Sequence, residues 1–545
     1  MNVSSDSDLA RVRDAATCRH WLQALPADGG ERLMAIGALL GRMARPGFSA
    51  DALFEVLEQV RTVQLRAIDQ SLEPLLQKPL PYGNDDWQRI GMALVSLRSS
   101  RNLFKRAYSQ MMGDPQGDET TRSIVPGAQD ALRVVLPLAR ALDAQARLLT
   151  LLLRHRGVPQ AADWDELCVL TQHLRRTTFV DEPLLDEVPL VQSRTARGLF
   201  TYPLLLSLAG LPARSAIEIQ LTEQLASHLA GRIGFRIDHG PPRESPQGPT
   251  LSLTPEHSVR LDSHRLPPSF QRRREQSQAA AADANPRRRP LGERALLALL
   301  DDLERRWVQP GLALMPRRAP AAELRLRFGL PKMHSADMRV KVGAPDSAGM
   351  GGASGAGSSQ YVYGRWEQNT IIRLSLGSDD DKRDAAALLM AESELVRWLE
   401  ERPDGRLVVE RGALTPRAGV GALVALQPPS GELILSTIEA IEQVPASDYL
   451  HLRGQRLTLR RWPGAPVPAG LRIADAMFFE DAWLLPGHDG TPPSVIVMPT
   501  HAQNGVAALL REPERDASVR FGRVIERGPG YERVELSFEG RRSPR

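Results

Sequence analysis

Glu323-Leu324-Arg325-Leu326-Arg327-Phe328 alternates polar and apolar side chains, the period-two pattern of a strand with one face in a core. Upstream the period is different. Leu53, Val56, Leu57 and Val60 stand at i, i+3, i+4 and i+7 within Asp51 to Arg61, which lines them along one face of a 3.6-residue helix. The hexapeptide therefore marks the change from a helical half to a strand-rich half. The predicted fold class is α+β multi-domain: an N-terminal all-α helical bundle followed by a small β-barrel region.

Working back from the hexapeptide, Leu33, Ile36, Leu40 and Met43 repeat the helical spacing, and Ile90, Leu94, Leu97, Phe104 and Tyr108 extend it over a longer element. Ala131 to His155 carries Leu and Val around much of its circumference and predicts a central helix of the bundle. Ser215 and Glu218, three apart ahead of Leu221, Leu225 and Leu229, form the capping-box pattern that satisfies the first free amides of a helix. From Asp238 to Pro290 the pattern gives way to Pro, Ser, Gln, Ala and Arg, which predicts a basic linker unable to bury enough apolar surface to order itself. A helix from Gly292 to Trp307 follows.

Forward of the hexapeptide, Ala385 to Leu399 reads as a helix. Short β-type runs then recur at Leu407 to Val409, Ala422 to Leu426, Glu432 to Ile438, Leu457 to Leu459, Ser494 to Met498, Val519 to Ile525 and Val534 to Phe538. Turns rich in Pro and Gly separate them, as in one or two small barrels. The domain boundaries predicted are a helical domain over 1–112, a second helical layer over 113–238, the basic disordered linker over 239–290, the barrel region over 291–443 and a C-terminal β-rich region over 444–545.

The 545 residues carry 69 Lys plus Arg against 65 Asp plus Glu, a net +4 too even to argue for wholesale binding to nucleic acid or a membrane surface. The excess is local: Arg265 to Leu330 holds fourteen arginines and seven carboxylates. Cys18 and Cys168 allow neither a zinc quartet nor a disulfide framework and fit a reducing compartment. Met1 to Leu9 lacks a basic-then-apolar signal, and the apolar run Gly198 to Leu211, broken by Pro203 and Pro212, is too short for a membrane span. Cytoplasm is the predicted compartment.

Catalytic motifs are missing. The glycines of Gly343 to Gly357 are not closed by Gly-Lys-Ser/Thr, so they read as a flexible insertion, and Asp379 to Asp381, adjacent on a turn, cannot all face one cation. There is no His-Glu-x-x-His and no Gly-x-Ser-x-Gly. Cys18 and His20, at i and i+2, do not share a helix face, and His334 reads as a structural or surface histidine. The chain is therefore predicted not to be an enzyme, with no metal and no cofactor.

Trp398-Leu399-Glu400-Glu401-Arg402-Pro403-Asp404-Gly405, followed by the runs Val420 to Leu426 and Ile434 to Ile441, resembles the PilZ family of small β-barrels. That family binds cyclic di-GMP through an Arg-x-x-x-Arg segment before the barrel and an Asp/Asn-x-Ser-x-x-Gly turn. Here Glu400 replaces Asp/Asn, Arg402 replaces Ser, and Gly405 is kept. Arg317 and Arg318 have Ala321 and Ala322 four residues on, so the first motif is incomplete.

The resemblance implies a cyclic dinucleotide as ligand, with Arg317 and Arg318 meeting phosphate and the Arg402 to Gly405 turn shaping the site. The departures from both motifs favour a derivative that has lost the ligand and serves as an interaction module. The function predicted is a non-enzymatic regulatory or adaptor protein whose helical half docks a protein partner. The alternative is a nucleic-acid-associated factor that tracks phosphates with Arg272 to Arg274 and Arg287 to Arg289, although no aromatics interleave those clusters.

Overall fold

The computed structural model describes residues 6–78, 82–113, 128–177, 179–184, 186–240, 242–243, 245–283, 292–313, 317–318, 323–328, 394–402, 405–412, 419–428, 433–473, 479–487, 491–499, 504–512 and 515–539. It resolves into two compact units: Met1–Met315 together with Glu442–Arg453, and Pro316–Ile441 together with Gly454–Arg545.

The first unit is built from helices α1 (Asp6–Arg11), α2 (Ala15–Gln23), α3 (Gly29–Met43), α4 (Ala50–Leu72), α5 (Asn84–Met112), α6 (Ala128–Arg154), α7 (Ala161–Arg176), α8 (Ala196–Leu208) and α9 (Ala216–Leu229). Short polar side chains fix their starts. Asp14, Asp28, Ser49, Thr195 and Ser215 each accept a hydrogen bond from a first-turn amide, and Ser215 and Glu218 complete the expected capping box. Leu53, Val56, Leu57 and Val60 of α4 are all buried, as their spacing predicts, against Ile36, Leu39, Leu40 and Met43 of α3. The apolar run around Leu204 is α8, whose Phe200, Leu204, Leu205 and Leu206 are fully buried, so its hydrophobicity is that of a core helix. Among the described residues no helix is long and apolar enough to cross a membrane.

A small sheet follows, with β1 (Gly234–His239), β2 (Pro249–Ser252), β3 (His257–Asp262) and β4 (Gly311–Ala313) in the order β1-β3-β2-β4, before and after α10 (Pro267–Asp283) and α11 (Glu293–Val308). This corrects the expected linker over 239–290. Val259, Leu261 and Phe270 are buried in the helical core, and Arg274 pairs with Asp301 and Glu304 of α11, so the basic segment has both apolar anchors and charge partners. Averaged composition hides strands only four to six residues long. Residues 284–290 lie outside the described ones, so the cluster Arg287 to Arg289 goes undescribed. The expected boundary at 112/113 also fails to separate cores, because one apolar cluster runs from Leu9 to Trp307.

In the second unit, β5 (Arg317–Arg318), β6 (Glu323–Phe328), β7 (Glu394–Glu401), β8 (Arg406–Arg411), β9 (Leu423–Gln427), β10 (Ile434–Pro445) and β11 (Leu452–Arg461) follow one another. Six of them close a ring, β7-β6-β9-β10-β11-β8, through the β7 to β8 pairing, and β5 adds to β7 beyond the end of β6. A second closed barrel, β12-β13-β14-β17-β16-β15, uses β12 (Val467–Ile473), β13 (Glu480–Leu485), β14 (Ser494–Val497), β15 (Ala507–Glu512), β16 (Arg515–Gly528) and β17 (Tyr531–Phe538). There are therefore two antiparallel barrels. Leu423, Ala425 and Leu435 of the first share an apolar cluster with Trp483, Leu485, Ile496 and Tyr531 of the second.

Two further expectations change here. The helix read over Ala385 to Leu399 is strand β7 in its described part, because Glu394–Glu401 bonds to β6 on one side and β8 on the other, and ladder pairing outweighs local propensity. The expected boundary at 443/444 falls inside β10, and 291–315 belongs to the first unit.

Candidate functional site

Arg317, Arg318, Arg402 and Gly405 come together at one end of the first barrel. The register sets Arg317 opposite Glu401 and Arg318 opposite Glu400, immediately before the turn. Gly405 closes that turn with φ +77°, a left-handed conformation that suits glycine, and its amide donates to the Arg402 carbonyl at 2.9 Å. Arg402 is already engaged, since its Nε donates to Glu400 Oε1 at 2.7 Å. The acidic substitution at position 400 thus neutralises the one described guanidinium side chain of the turn.

A second arrangement, not anticipated from sequence, lies within the helical unit. A cleft of about 790 Å³ is lined by α2, α4, α6 and the loop that precedes α8. Helical spacing puts the lining residues on single faces: Arg19, Leu22 and Gln23 on α2; Glu58, Thr62 and Arg66 on α4; Leu136 and Arg140 on α6. Arg194 enters from the loop with φ +52°, its carbonyl held by the Leu184 amide at 2.7 Å. The volume falls within the range of about 300–1,000 Å³ usual for small-molecule sites.

The floor of the cleft is a buried ion network. Arg61 donates to Asp143 Oδ2 (2.7 Å from Nη2) and to both carboxylate oxygens of Asp186 (2.8 and 2.7 Å). Arg140 grips Glu58 with two bonds of 2.9 Å, and Arg147 Nε reaches Asp143 at 2.9 and 3.0 Å. Arg147 also donates to the Val188 carbonyl, which anchors the loop. Burial alone would raise the pKa of Asp143, but Arg147 and Arg61 more than offset it and bring it down to about 2. Arg61 is raised above the usual arginine value by Asp143 and Asp186 against the cost of its burial.

The lining holds five arginines, at 19, 61, 66, 140 and 194, against three carboxylates, at 58, 186 and 187. Arg61 and Arg140 use their carboxylates within the floor. On the exposed rim Arg19, Arg66 and Arg194 then stand against one carboxylate, Glu187, which leaves a surplus of two positive charges there. Arg19 Nε donates to Gln59 at 3.4 Å, a neutral partner. A rim of guanidinium forks above a neutralised floor is an anion-binding arrangement with room for a ligand carrying two negative charges.

Among the described residues no catalytic cluster accompanies it. Cys18 and Cys168 are buried thiols whose pKa values burial pushes up to about 12, so neither is a nucleophile at neutral pH. Among the described residues the His451 side chain pairs with the neighbouring Asp448, at 2.9 Å on the surface. Among the described residues no three His, Cys, Asp or Glu side chains are grouped to hold a metal ion. His334, His501, Gly343 to Gly357 and Asp379 to Asp381 lie outside the described residues.

Residues 15–240 match a family. Its description is cyclic-di-GMP receptor FimW, N-terminal domain, and the matched stretch, under half of the chain, runs from α2 to the end of β1. Every residue lining the cleft falls inside it. The two barrels lie beyond it. No curated protein and no solved structure matches the chain.

Proposed function

We infer that this chain is a non-enzymatic effector of cyclic di-GMP that binds the dinucleotide in the helical unit. One observation carries the reading: the stretch similar to a cyclic-di-GMP receptor domain contains a cleft whose rim holds surplus arginine charge. The ligand's two phosphodiesters would take the forks of Arg19, Arg66 and Arg194. Its guanines would lie along Leu22, Val63 and Leu136, with Gln23, Gln59 and Thr62 available to their edges. The buried floor keeps the cleft open and spends no rim charge.

The barrel turn at 400–405, with Arg317 and Arg318 beside it, is the rival site. Its weakness is Glu400, which neutralises Arg402 and faces any phosphate with negative charge. A protein partner docked on the helical half fits an effector and would read out the ligand.

Titration calorimetry of the full chain with cyclic di-GMP tests the reading. Saturable heat that falls at least about tenfold in affinity in Arg66→Ala/Arg194→Ala, and holds in Arg317→Ala/Arg318→Ala, supports the cleft. Loss only in the second pair moves the ligand to the barrel, and no heat at high micromolar ligand in the unsubstituted chain rejects the function.

A further inference from the structure

Residues Glu442–Arg453 comprise the end of β10, the turn after it and the start of β11, and this segment belongs to the helical unit although it lies more than two hundred residues away in sequence from the helices it touches. Its centre is Tyr449, a fully buried tyrosine at φ +64°, a conformation that costs a non-glycine residue on the order of 1 kcal/mol and persists only when its surroundings enforce it. The enforcement is visible. The Tyr449 hydroxyl donates to the buried carboxylate of Asp163, its carbonyl accepts from Trp87 Nε1 at 3.0 Å, and the Arg98 guanidinium lies 4.3 Å over its ring. Arg98 also donates to the Ser447 carbonyl at 3.2 Å, and Gln160 to that of Ala446 at 3.1 Å. Gln443 exchanges backbone bonds with Arg156 and Val158.

Gly91 of α5 makes the approach possible. A Cβ there would stand 2.5 Å from the Tyr449 oxygen and 3.0 Å from the Leu450 Cα, with the docked segment supplying its nearest obstacles. Glycine mid-helix is intrinsically unfavourable, by about 1 kcal/mol relative to alanine, so it is the docked segment that gives this one a purpose.

Helix α6 lies between this dock and the cleft. Asp143 and Arg147 face the ion network under the cleft, whereas Gln145, on the opposite side of the helix, donates to the Asp163 carbonyl at 2.6 Å and accepts from Arg101 at 2.7 Å. Leu148, Leu151 and Leu152 share a core with Trp87, Ile90, Leu94 and Tyr449. Both sites therefore bear on the position of one helix.

We propose that the Glu442–Arg453 segment is a tethered docking element that fixes α5, α6 and the start of α7 in the arrangement that forms the cleft, so that docking and occupancy of the cleft favour each other. The proposal rests on the cleft being the cyclic di-GMP site. Linkage then requires that ligand strengthen docking by the same factor by which docking strengthens ligand binding.

The selective perturbation is Gly91→Ala, which improves helix propensity and blocks the dock. Hydrogen exchange of the full chain should show amides of 442–453 exchanging faster in this variant, and titration with cyclic di-GMP should show Kd weakened by about fivefold or more. Tyr449→Phe, which keeps the ring and loses the Asp163 bond, should shift both readouts in the same direction by less. In the unsubstituted chain, saturating cyclic di-GMP should slow exchange across 442–453. Should either variant release the segment while Kd stays unchanged or tightens, the coupling is wrong and the cleft assignment stands. Should the unsubstituted chain not bind at all, the assignment fails and the coupling with it. If Gly91→Ala does not fold, Tyr449→Phe decides by the same pair of readouts.

Discussion

His155 should make the helical unit lose stability between pH 7 and pH 5, where most carboxylates remain ionised. The imidazole is 1% exposed, just past the end of α6. Its Nδ1 is 3.4 Å from the Tyr82 hydroxyl, and its Nε2 has no hydrogen-bond partner among the described residues. Burial first, and then Arg154 and Arg156, bring its pKa from 6.5 down to about 3. A base whose folded pKa is depressed binds its proton in the unfolded chain first. Its contribution to stability is therefore complete above pH 6.5 and lost as the pH falls toward 3. At pH 5 the unfolded histidine is about 1.5 units below its pKa, which at about 1.4 kcal/mol per unit removes about 2 kcal/mol. Urea unfolding followed by the helical circular dichroism signal, at pH 7 and pH 5, in the unsubstituted chain and in His155→Leu, isolates this contribution. The unsubstituted chain should lose about 2 kcal/mol more than the variant. Equal losses in the two would show that His155 is protonated in the folded state or accessible to water, and would refute the reasoning.

Asp143→Asn should destabilise the unit by about 3 kcal/mol or more in the same assay at pH 7, since it leaves Arg61 and Arg147 short of a buried counter-charge; a cost under about 1 kcal/mol would contradict it. Gln455→Met in the first barrel should stabilise by about 1 kcal/mol, because the fully buried carboxamide has no partner among the described residues for either polar atom, and a lower unfolding midpoint would argue against this. Cys18 and Cys168 should resist a thiol-specific disulfide reagent in the native chain and react only after unfolding; rapid native labelling would show the thiols reachable.

The helix-to-strand change at Glu323–Phe328 was legible because both halves keep a clean period, and so was the Ser215 capping box, which is a local motif. The cleft was harder to see. Arg140, Asp143 and Arg147 stand at helical spacing within the apolar run of α6, and their charge signals a buried network, but their partners Arg61, Glu58 and Asp186 are far away in sequence. The surplus on Arg19, Arg66 and Arg194 emerges only after the carboxylates are assigned. Long-range pairing also explains the misread strand β7, and the docked segment around Tyr449, where nothing local to Pro445 or Leu452 announces a helical receptor. The order within 239–283 was missed because its buried residues, Leu251, Val259, Leu261, Leu266 and Phe270, are spread over short elements within a polar background.

The most direct test of the central claim is photocrosslinking of the full chain with an azido derivative of cyclic di-GMP, with adducts mapped to peptides by mass spectrometry and competed by the unmodified dinucleotide. Competed adducts on the peptides holding Arg19 to Gln23, Glu58 to Arg66 and Asp186 to Arg194 are the expected result. Competed adducts confined to Arg317, Arg318 and the Arg402 to Gly405 turn would contradict it.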